Sequence, residues 1–212
     1  MCRSPDPATD DFLSGASTLR SHDETSESRE RSEQVRRRRE VLVRCVTSSR
    51  LDKSDIYEMW DAERRRVRSL APRVTNECFR VGFDGVVSLL PAALASRADC
   101  REVLKLLSDD GSETVDSRDV IMGLSNFVGL EHKELCELAF ELFDIDRSGF
   151  LSISEVESML SSTNLLPRNL VRKRAENFML CADIDRSGGI TLDELIVGAR
   201  KLRNLVFPPP QT

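Results

Sequence analysis

The sequence predicts an all-α protein made of two lobes, each a pair of helix–loop–helix units, with short antiparallel β pairing between loops and a disordered N-terminal tail. Three observations lead to this fold class. The hexapeptide Asp-Ile-Asp-Arg-Ser-Gly occurs at residues 144–149 and again at 183–188. Apolar residues recur at helical spacing on both sides of each copy. Residues 1–34 are polar and charged, a composition that cannot bury enough surface to fold.

Each copy of the hexapeptide lies between two predicted amphipathic helices. The apolar positions of the preceding helices are Leu135, Leu138, Ala139, Leu142 and Phe143 for the first copy, and Ala175, Phe178, Met179 and Ala182 for the second. Those of the following helices are Val156, Met159 and Leu160, and Leu195, Ile196, Ala199 and Leu202. Leu151 and Ile190 take the same place in the two copies, so we expect them to form the antiparallel pairing.

The two loops carry oxygen donors at the spacing of a calcium site. Calcium takes six to eight oxygens at about 2.3–2.6 Å, which a twelve-residue loop supplies from positions 1, 3, 5, 7, 9 and 12, with a glycine at position 6. The candidate ligands are Asp144, Asp146, Ser148, the carbonyl of Phe150, Ser152 through a water, and bidentate Glu155 in one loop, and Asp183, Asp185, Ser187, the carbonyl of Gly189, Thr191 through a water, and bidentate Glu194 in the other. The sequence therefore predicts two coupled Ca²⁺ sites.

An incomplete version of the same twelve-residue pattern precedes these loops. In residues 106–119, Val115 takes the place of Leu151, and Asp119 that of Glu155. The first position is Ser108, and Glu113 replaces the turn glycine. We predict a structural loop over 108–119, with weak ion binding there left open.

A fourth unit is predicted further upstream. Ile56, Met59, Trp60 and Val67 indicate an entering helix, which Pro72 would end. Val74-Thr75 followed by Cys78-Phe79 indicates the end of a loop and a leaving helix. The stretch 67–73 has almost no oxygen-bearing side chains, so we expect no calcium there.

These motifs resemble the EF-hand superfamily over residues 131–205. The arrangement of four units, of which only the third and fourth are intact, is similar to calcineurin B and the neuronal calcium sensors. The sequence thus predicts five regions: a disordered tail (1–34), a basic helical segment or linker (35–50), a degenerate EF-hand pair (51–128), an intact pair (129–205) and a Pro-rich tail (206–212).

Composition and motifs exclude several classes of function. The net charge of −5 gives no support for nucleic-acid binding. The chain has two histidines and no phosphate-binding loop or nucleophile elbow, so we predict no enzyme. Six scattered cysteines, no long apolar run and no secretory signal favour a cytoplasmic protein. The run Arg36–Arg39 is either a solvated helix face or a patch for anionic surfaces.

The resemblance implies a calcium sensor or a regulatory subunit. Its protein partner would be a helix bound on an apolar groove, lined by Leu138, Leu142, Met159, Leu160, Met179, Ile196 and Leu202. Two alternatives stay open: a calcium buffer, and a calcium-responsive adaptor recruited to anionic membrane surfaces through the arginine run. Contact with a membrane has no other support in the sequence.

Overall fold

The computed structural model describes residues 14–70, 74–91, 97–108, 113–164, 171–202 and 206–207. The α-helices in this part of the chain are α1 (Ser14–Ser49), α2 (Lys53–Leu70), α3 (Phe83–Leu89), α4 (Arg97–Leu107), α5 (Ser117–Ser125), α6 (His132–Phe143), α7 (Ile153–Asn164), α8 (Arg172–Ala182) and α9 (Leu192–Lys201). Two short strands, β1 (Arg80–Val81) and β2 (Val115–Asp116), pair antiparallel. The predicted all-α class, with small β pairings between loops, is confirmed.

All four helix–loop–helix units share one frame. Val81 pairs with Val115, and Leu151 pairs with Ile190 through two backbone hydrogen bonds of 2.7 and 2.9 Å. Each leaving helix, α3, α5, α7 or α9, begins two residues after its member of these pairs. With the paired residue at position 8, the four twelve-residue loops are loop I (74–85), loop II (108–119), loop III (144–155) and loop IV (183–194).

The prediction of a leaving helix at Cys78–Phe79 is wrong. Residues Asn76–Phe79 form a 3₁₀ turn, and the leaving helix α3 begins at Phe83. The chain between them is extended, with Phe79 and Val81 buried and Arg80 exposed. This alternation has period two, as in any strand, but it is too short to stand out in the sequence. Pro72, the predicted helix stop, lies outside the described residues.

Helix α1 also differs from the prediction of a disordered tail over residues 1–34. Residues 1–13 lie outside the described part, and from Ser14 onward the chain is helical. No glycine or proline occurs between Ala16 and Ser49, so nothing in this stretch breaks a helix. The side chains of Arg29, Glu30, Ser32, Glu33 and Gln34 are exposed, in line with the polar composition. The chain divides into two units after Arg36.

From Arg37 onward the basic segment belongs to the core of the second unit. Val41, Leu42, Cys45 and Val46 are buried, which fits the alternative of a helical segment over 35–50 rather than that of a linker. Their spacing places them along one side of α1, which is the reason this half of the helix packs. Arg38 is buried as well, whereas Arg36 and Arg37 are exposed.

Both EF-hand pairs lie within this second unit, residues 37–212. Side-chain contacts tie them together: Asn126 Nδ2 donates to the carbonyl of Thr163 (3.2 Å), and Lys53 forms an ion pair with Glu134 (2.6 Å). Phenylalanines fill the interior, since Phe79, Phe143 and Phe178 are buried and Phe140 is half-buried. Among the described helices, none has the length and apolar character needed to cross a membrane.

The residues predicted to line an apolar groove lie in the core of the intact pair. Leu138, Leu142, Met159 and Leu160 are buried, and Met179, Ile196 and Leu202 are half-buried. Two residues of the predicted Pro-rich tail join this core, because Val206 and Phe207 are buried too. Phe207 places its ring edge-on to that of His132, with centroids 6.1 Å apart. Residues 208–212 lie outside the described part.

Candidate metal centre

Loop III gathers three carboxylates at one point. Helix α6 ends at Phe143, and the chain then turns through Arg147 and Gly149, both with positive φ (57° and 83°). The glycine adopts this conformation without steric cost. Oxygens of Asp144, Asp146 and Glu155 lie within 4.8 Å of one another. Such a cluster suits a hard cation that prefers oxygen ligands.

Backbone amides hold these carboxylates in place. Asp144 accepts hydrogen bonds from the amides of Ser148 (2.9 Å) and Gly149 (3.1 Å). Glu155, in the first turn of α7, accepts from the amides of Ile145 (3.0 Å) and Ser152 (2.9 Å), which lie at opposite ends of the loop. The twelfth residue therefore closes the loop around the cluster.

Loop IV has the same geometry. Asp183, Asp185 and Glu194 form the second cluster, within the same 4.8 Å limit. Asp183 accepts from the amides of Ser187 (3.0 Å) and Gly188 (3.0 Å), and Glu194 accepts from the amide of Ile184 (2.9 Å). Gly188 again has positive φ (87°). Thr191 and Glu194 form a reciprocal capping box at the start of α9.

Hydrogen bonds lower the pKa of several of these acids. The hydroxyl and the amide of Ser148 lower the pKa of Asp146, and those of Ser187 lower the pKa of Asp185. The amide of Thr191 is the largest of the hydrogen bonds that lower the pKa of Glu194. Because ionised carboxylates are the ligands that calcium needs, the two clusters fit a divalent cation at neutral pH.

The remaining predicted ligands occupy distinct places. The hydroxyls of Ser148 and Ser187 donate to the carbonyls of Phe150 (2.9 Å) and Gly189 (3.2 Å), so positions 5 and 7 lie side by side. The hydroxyls of Ser152 and Thr191 donate to Glu155 and Glu194, both at 2.8 Å. Position 9 thus orients the carboxylate at position 12. The twelve individual ligand assignments and the number of bound ions stay predictions.

Two acids of loop II have partners outside any acid cluster. Asp116 forms an ion pair with Arg118 (2.6 Å), and Asp119 accepts a hydrogen bond from the hydroxyl of Ser162 on α7. Loop I has Gly85 at position 12, where the intact loops have glutamate. Among the described residues, which omit 109–112, only loops III and IV bring three acids together.

Arg118 is the structural feature of the degenerate pair that sequence reasoning missed. Its side chain is fully buried, and its guanidinium bonds to Asp116 of loop II and to Asn76 Oδ1 of loop I (3.0 Å). The guanidinium carbon lies 4.3 Å from the ring centre of Phe79 and 5.0 Å from that of Phe143. The side chains that hold this internal cation are therefore Asp116, at position 9 of loop II, and Asn76, at position 3 of loop I. An arginine in the first turn of a helix gave no signal of this burial.

Comparison with known proteins agrees with this geometry. The family described as EF-hand domain pair matches residues 133–198. The calcineurin B subunit of Schizosaccharomyces pombe is 30% identical over 135 residues, which cover 62% of this chain and 74% of that protein. The type 2 calcineurin B subunit of Homo sapiens is 28% identical over 106 residues, or 48% of this chain and 62% of that protein.

A second group of relatives is much longer than this chain. The calcium and calcium/calmodulin-dependent serine/threonine-protein kinase DMI-3 of Medicago truncatula is 33% identical over 113 residues, which cover 51% of this chain. The chain spans only about 20% of that kinase. The Schizosaccharomyces pombe protein, in contrast, is matched over most of its length. The chain is therefore a calcium-binding member of the EF-hand family, related to the calcineurin B regulatory subunits.

Proposed function

We propose that the chain is a calcium sensor or regulatory subunit that binds a helix of a protein partner when loops III and IV take up calcium. The relatives support a protein partner, since two of them are named as subunits of calcineurin. Three carboxylates in each loop, with hydroxyls at positions 5 and 9, favour sensor-range dissociation constants of about 10⁻⁷–10⁻⁵ M. We assign no catalytic step to this chain.

The observation that carries the proposal is the position of Glu155 and Glu194. Each supplies the twelfth loop position from the first turn of a leaving helix, α7 or α9. Each also binds backbone amides at the start of its loop, so the helix and the loop are mechanically joined. When such a carboxylate moves onto an ion, its helix moves with it, which is how sensor EF-hands open.

Opening would expose the apolar side chains now packed in the intact pair. Met159 and Met179 are among them, and methionine adapts its shape to different partners. The half-buried Met179, Ile196 and Leu202 would become accessible first, because they already lie near the surface. The exposed groove would then accept the apolar face of an amphipathic helix.

Calcium titration with a hydrophobic dye tests the proposal. We expect two bound ions by calorimetry and an increase in dye fluorescence over the same calcium range. Glu155→Gln and Glu194→Gln should each weaken the altered site by at least about tenfold, because one bidentate carboxylate is lost. They should also reduce dye uptake. Asp193→Asn is the matched control, since Asp193 is an acid of loop IV that is not a predicted ligand.

The other outcomes favour other functions. Calcium binding without dye uptake would indicate a buffer. A stable complex with a partner that persists in chelator would indicate a constitutive subunit. The internal ion pairs of the degenerate pair are compatible with that function. Calcium-dependent sedimentation with anionic vesicles that is lost on Arg36→Ala and Arg37→Ala would indicate the membrane adaptor. Unchanged affinities in the Glu155→Gln, Glu194→Gln double variant would contradict the site assignment itself.

A further inference from the structure

A surface groove runs between α2 of the degenerate pair and α6 of the intact pair. Two adjoining cavities form it, of about 300 Å³ and about 430 Å³, and both are lined by Trp60 and Phe140. The indole Nε1 of Trp60 donates to Glu141 across the groove at 2.8 Å. This groove lies beside loop III, and Leu138 and Leu142 from the core of the intact pair are among its lining residues.

The charges along the groove differ between its two ends. Arg68 and Arg147 line the cavity next to loop III, and both are exposed. Asp61 and Glu137 line the other cavity. Between the two ends, both cavities share the aromatic rings of Trp60 and Phe140. They also share Arg64 and Glu141, whose charged groups are engaged by Asp61 and by the indole of Trp60. An occupant that matches this pattern has an apolar centre, carboxylates at one end and basic side chains at the other.

We propose that the groove docks a short amphipathic segment of a protein partner, with its acidic end at loop III. The dimensions fit such a segment. Along α2 the lining extends from Tyr57 to Arg68, which at 1.5 Å per residue is about 16 Å. This length corresponds to about three turns of helix.

Calcium strengthens this docking because Asp144, the first predicted ligand of loop III, lies in the wall of the arginine end. An ion bound to Asp144 neutralises the negative charge of that carboxylate. The carboxylate then no longer offsets the positive charges of Arg68 and Arg147. An acidic segment then binds more tightly, and by thermodynamic reciprocity the bound segment raises the calcium affinity of loop III. The inference rests on the proposed function only in taking loop III as a calcium site.

The test uses intrinsic fluorescence, because Trp60 is the only tryptophan of the chain and lines both cavities. The probes are two synthetic twelve-residue amphipathic helices with the same apolar face. One has glutamates at one end and lysines at the other, and the second has lysines at both ends. We expect the first to change Trp60 emission saturably, with a lower dissociation constant in calcium than in chelator.

Charge reversal then locates the site. Arg68→Glu should weaken the first peptide by about three- to tenfold, as expected for exposed charge pairs, and should strengthen the peptide with lysines at both ends. Lys173→Glu on α8, which does not line the groove, is the matched control and should change neither affinity. Arg68 is exposed on α2, so the substitution should leave the fold intact.

Two results would overturn the inference: no saturable change in Trp60 emission, or equal binding of both peptides by the unaltered protein and by Arg68→Glu. These failures differ from failure of the proposed function. If calcium raises dye uptake but Arg68→Glu has no effect on peptide affinity, only the groove is wrong. If peptide affinity depends on Arg68 and on calcium but dye uptake never rises, the groove stands and the opening of the intact pair is wrong.

Discussion

At the scale of single residues, the degenerate pair holds a positively charged side chain between its two loops. Arg118 is fully buried between loops I and II, paired with Asp116 and bonded to Asn76. A buried guanidinium is costly unless it is paired, and here a carboxylate and two aromatic rings surround it. One of those rings belongs to Phe143, which directly precedes the first predicted ligand of loop III. Arg118 therefore links both loops of the degenerate pair to the start of loop III.

Removing the guanidinium should destabilise the protein strongly. We expect Arg118→Met to lower the free energy of unfolding by about 3–5 kcal/mol, because the buried carboxylate of Asp116 loses its guanidinium partner. Urea denaturation in chelator measures this loss. The Arg118→Met, Asp116→Asn double variant should recover most of it, since the amide carries no charge and still caps α5.

Lys105→Met provides the control for this experiment. It removes a cation from an exposed position on α4, and it should change the unfolding free energy by less than about 0.5 kcal/mol. Equal effects of the Arg118 and Lys105 substitutions would show that the buried pair contributes nothing. The unpartnered Nη1 of Arg118 in the described structure indicates that the site is not optimal, which is why the double variant can recover.

The residues at position 7 of loops III and IV, Phe150 and Gly189, differ in size for a steric reason. A Cβ added at Gly189 would lie 2.4 Å from Cδ2 of Phe150, so the ring of loop III occupies the space that loop IV leaves empty. Gly189→Ala should therefore cost about 1–3 kcal/mol of stability, as overpacking does. Phe150→Ala in the same chain should relieve the clash and restore most of the loss. If Gly189→Ala unfolds at the same urea concentration as the unaltered protein, the two loops are not packed as described.

At the scale of elements, the features that the sequence predicted are those with a strong helical periodicity or a recognisable spacing of ligands. The helices around loops III and IV, the bridge between Leu151 and Ile190, and the two acid clusters were all predictable from spacing. The first half of helix α1 was not, because it lacks the apolar face on which a prediction depends, while nothing in its composition after Ala16 breaks a helix. Strand β1 was missed because two residues are too few to show a period.

Burial of polar side chains was equally hidden from the sequence. Glu63 is buried on α2, where it accepts hydrogen bonds from Arg66 (2.6 Å) and from the hydroxyl of Ser117. Arg118 is buried one residue further along α5. Charged residues usually lie at the surface, so composition argues against such positions. Only the three-dimensional pairing of α2 with α5 shows that a hydrogen bond from Ser117 to the buried Glu63 connects these two helices of the degenerate pair.

At the scale of the whole second unit, residues 37–212, the two EF-hand pairs contribute different features. In the degenerate pair, Arg118 connects loops I and II, and Glu63 connects α2 with α5. The intact pair supplies the acid clusters and the apolar core that the proposed function opens. The groove between α2 and α6 joins the two, since one of its walls belongs to loop III. Calcium bound in the intact pair can thus influence a surface that both pairs share.

The buried segment Val206–Phe207 packs against the intact pair. Phe207 packs against His132, and the carbonyl of Val206 accepts from Asn164 Nδ2 at 3.5 Å. Phe207→Ser removes a buried ring from this core, so we expect the protein in chelator to bind a hydrophobic dye nearly as strongly as the calcium-loaded protein does. Helix content, measured by circular dichroism, should stay the same, because Phe207 lies outside the helices α1–α9.

Leu180→Ser makes the same change of polarity at a side chain that is 83% exposed. It should leave dye uptake in chelator unchanged or slightly lower, since no buried surface is uncovered. If Phe207→Ser also leaves dye uptake unchanged while Glu155→Gln abolishes the calcium-induced increase, then closure depends on the loops alone. If dye binding in chelator rises with Phe207→Ser but not with Leu180→Ser, the segment at 206–207 keeps the calcium-free protein closed. Calcium binding would then have to overcome the packing of Phe207 on His132.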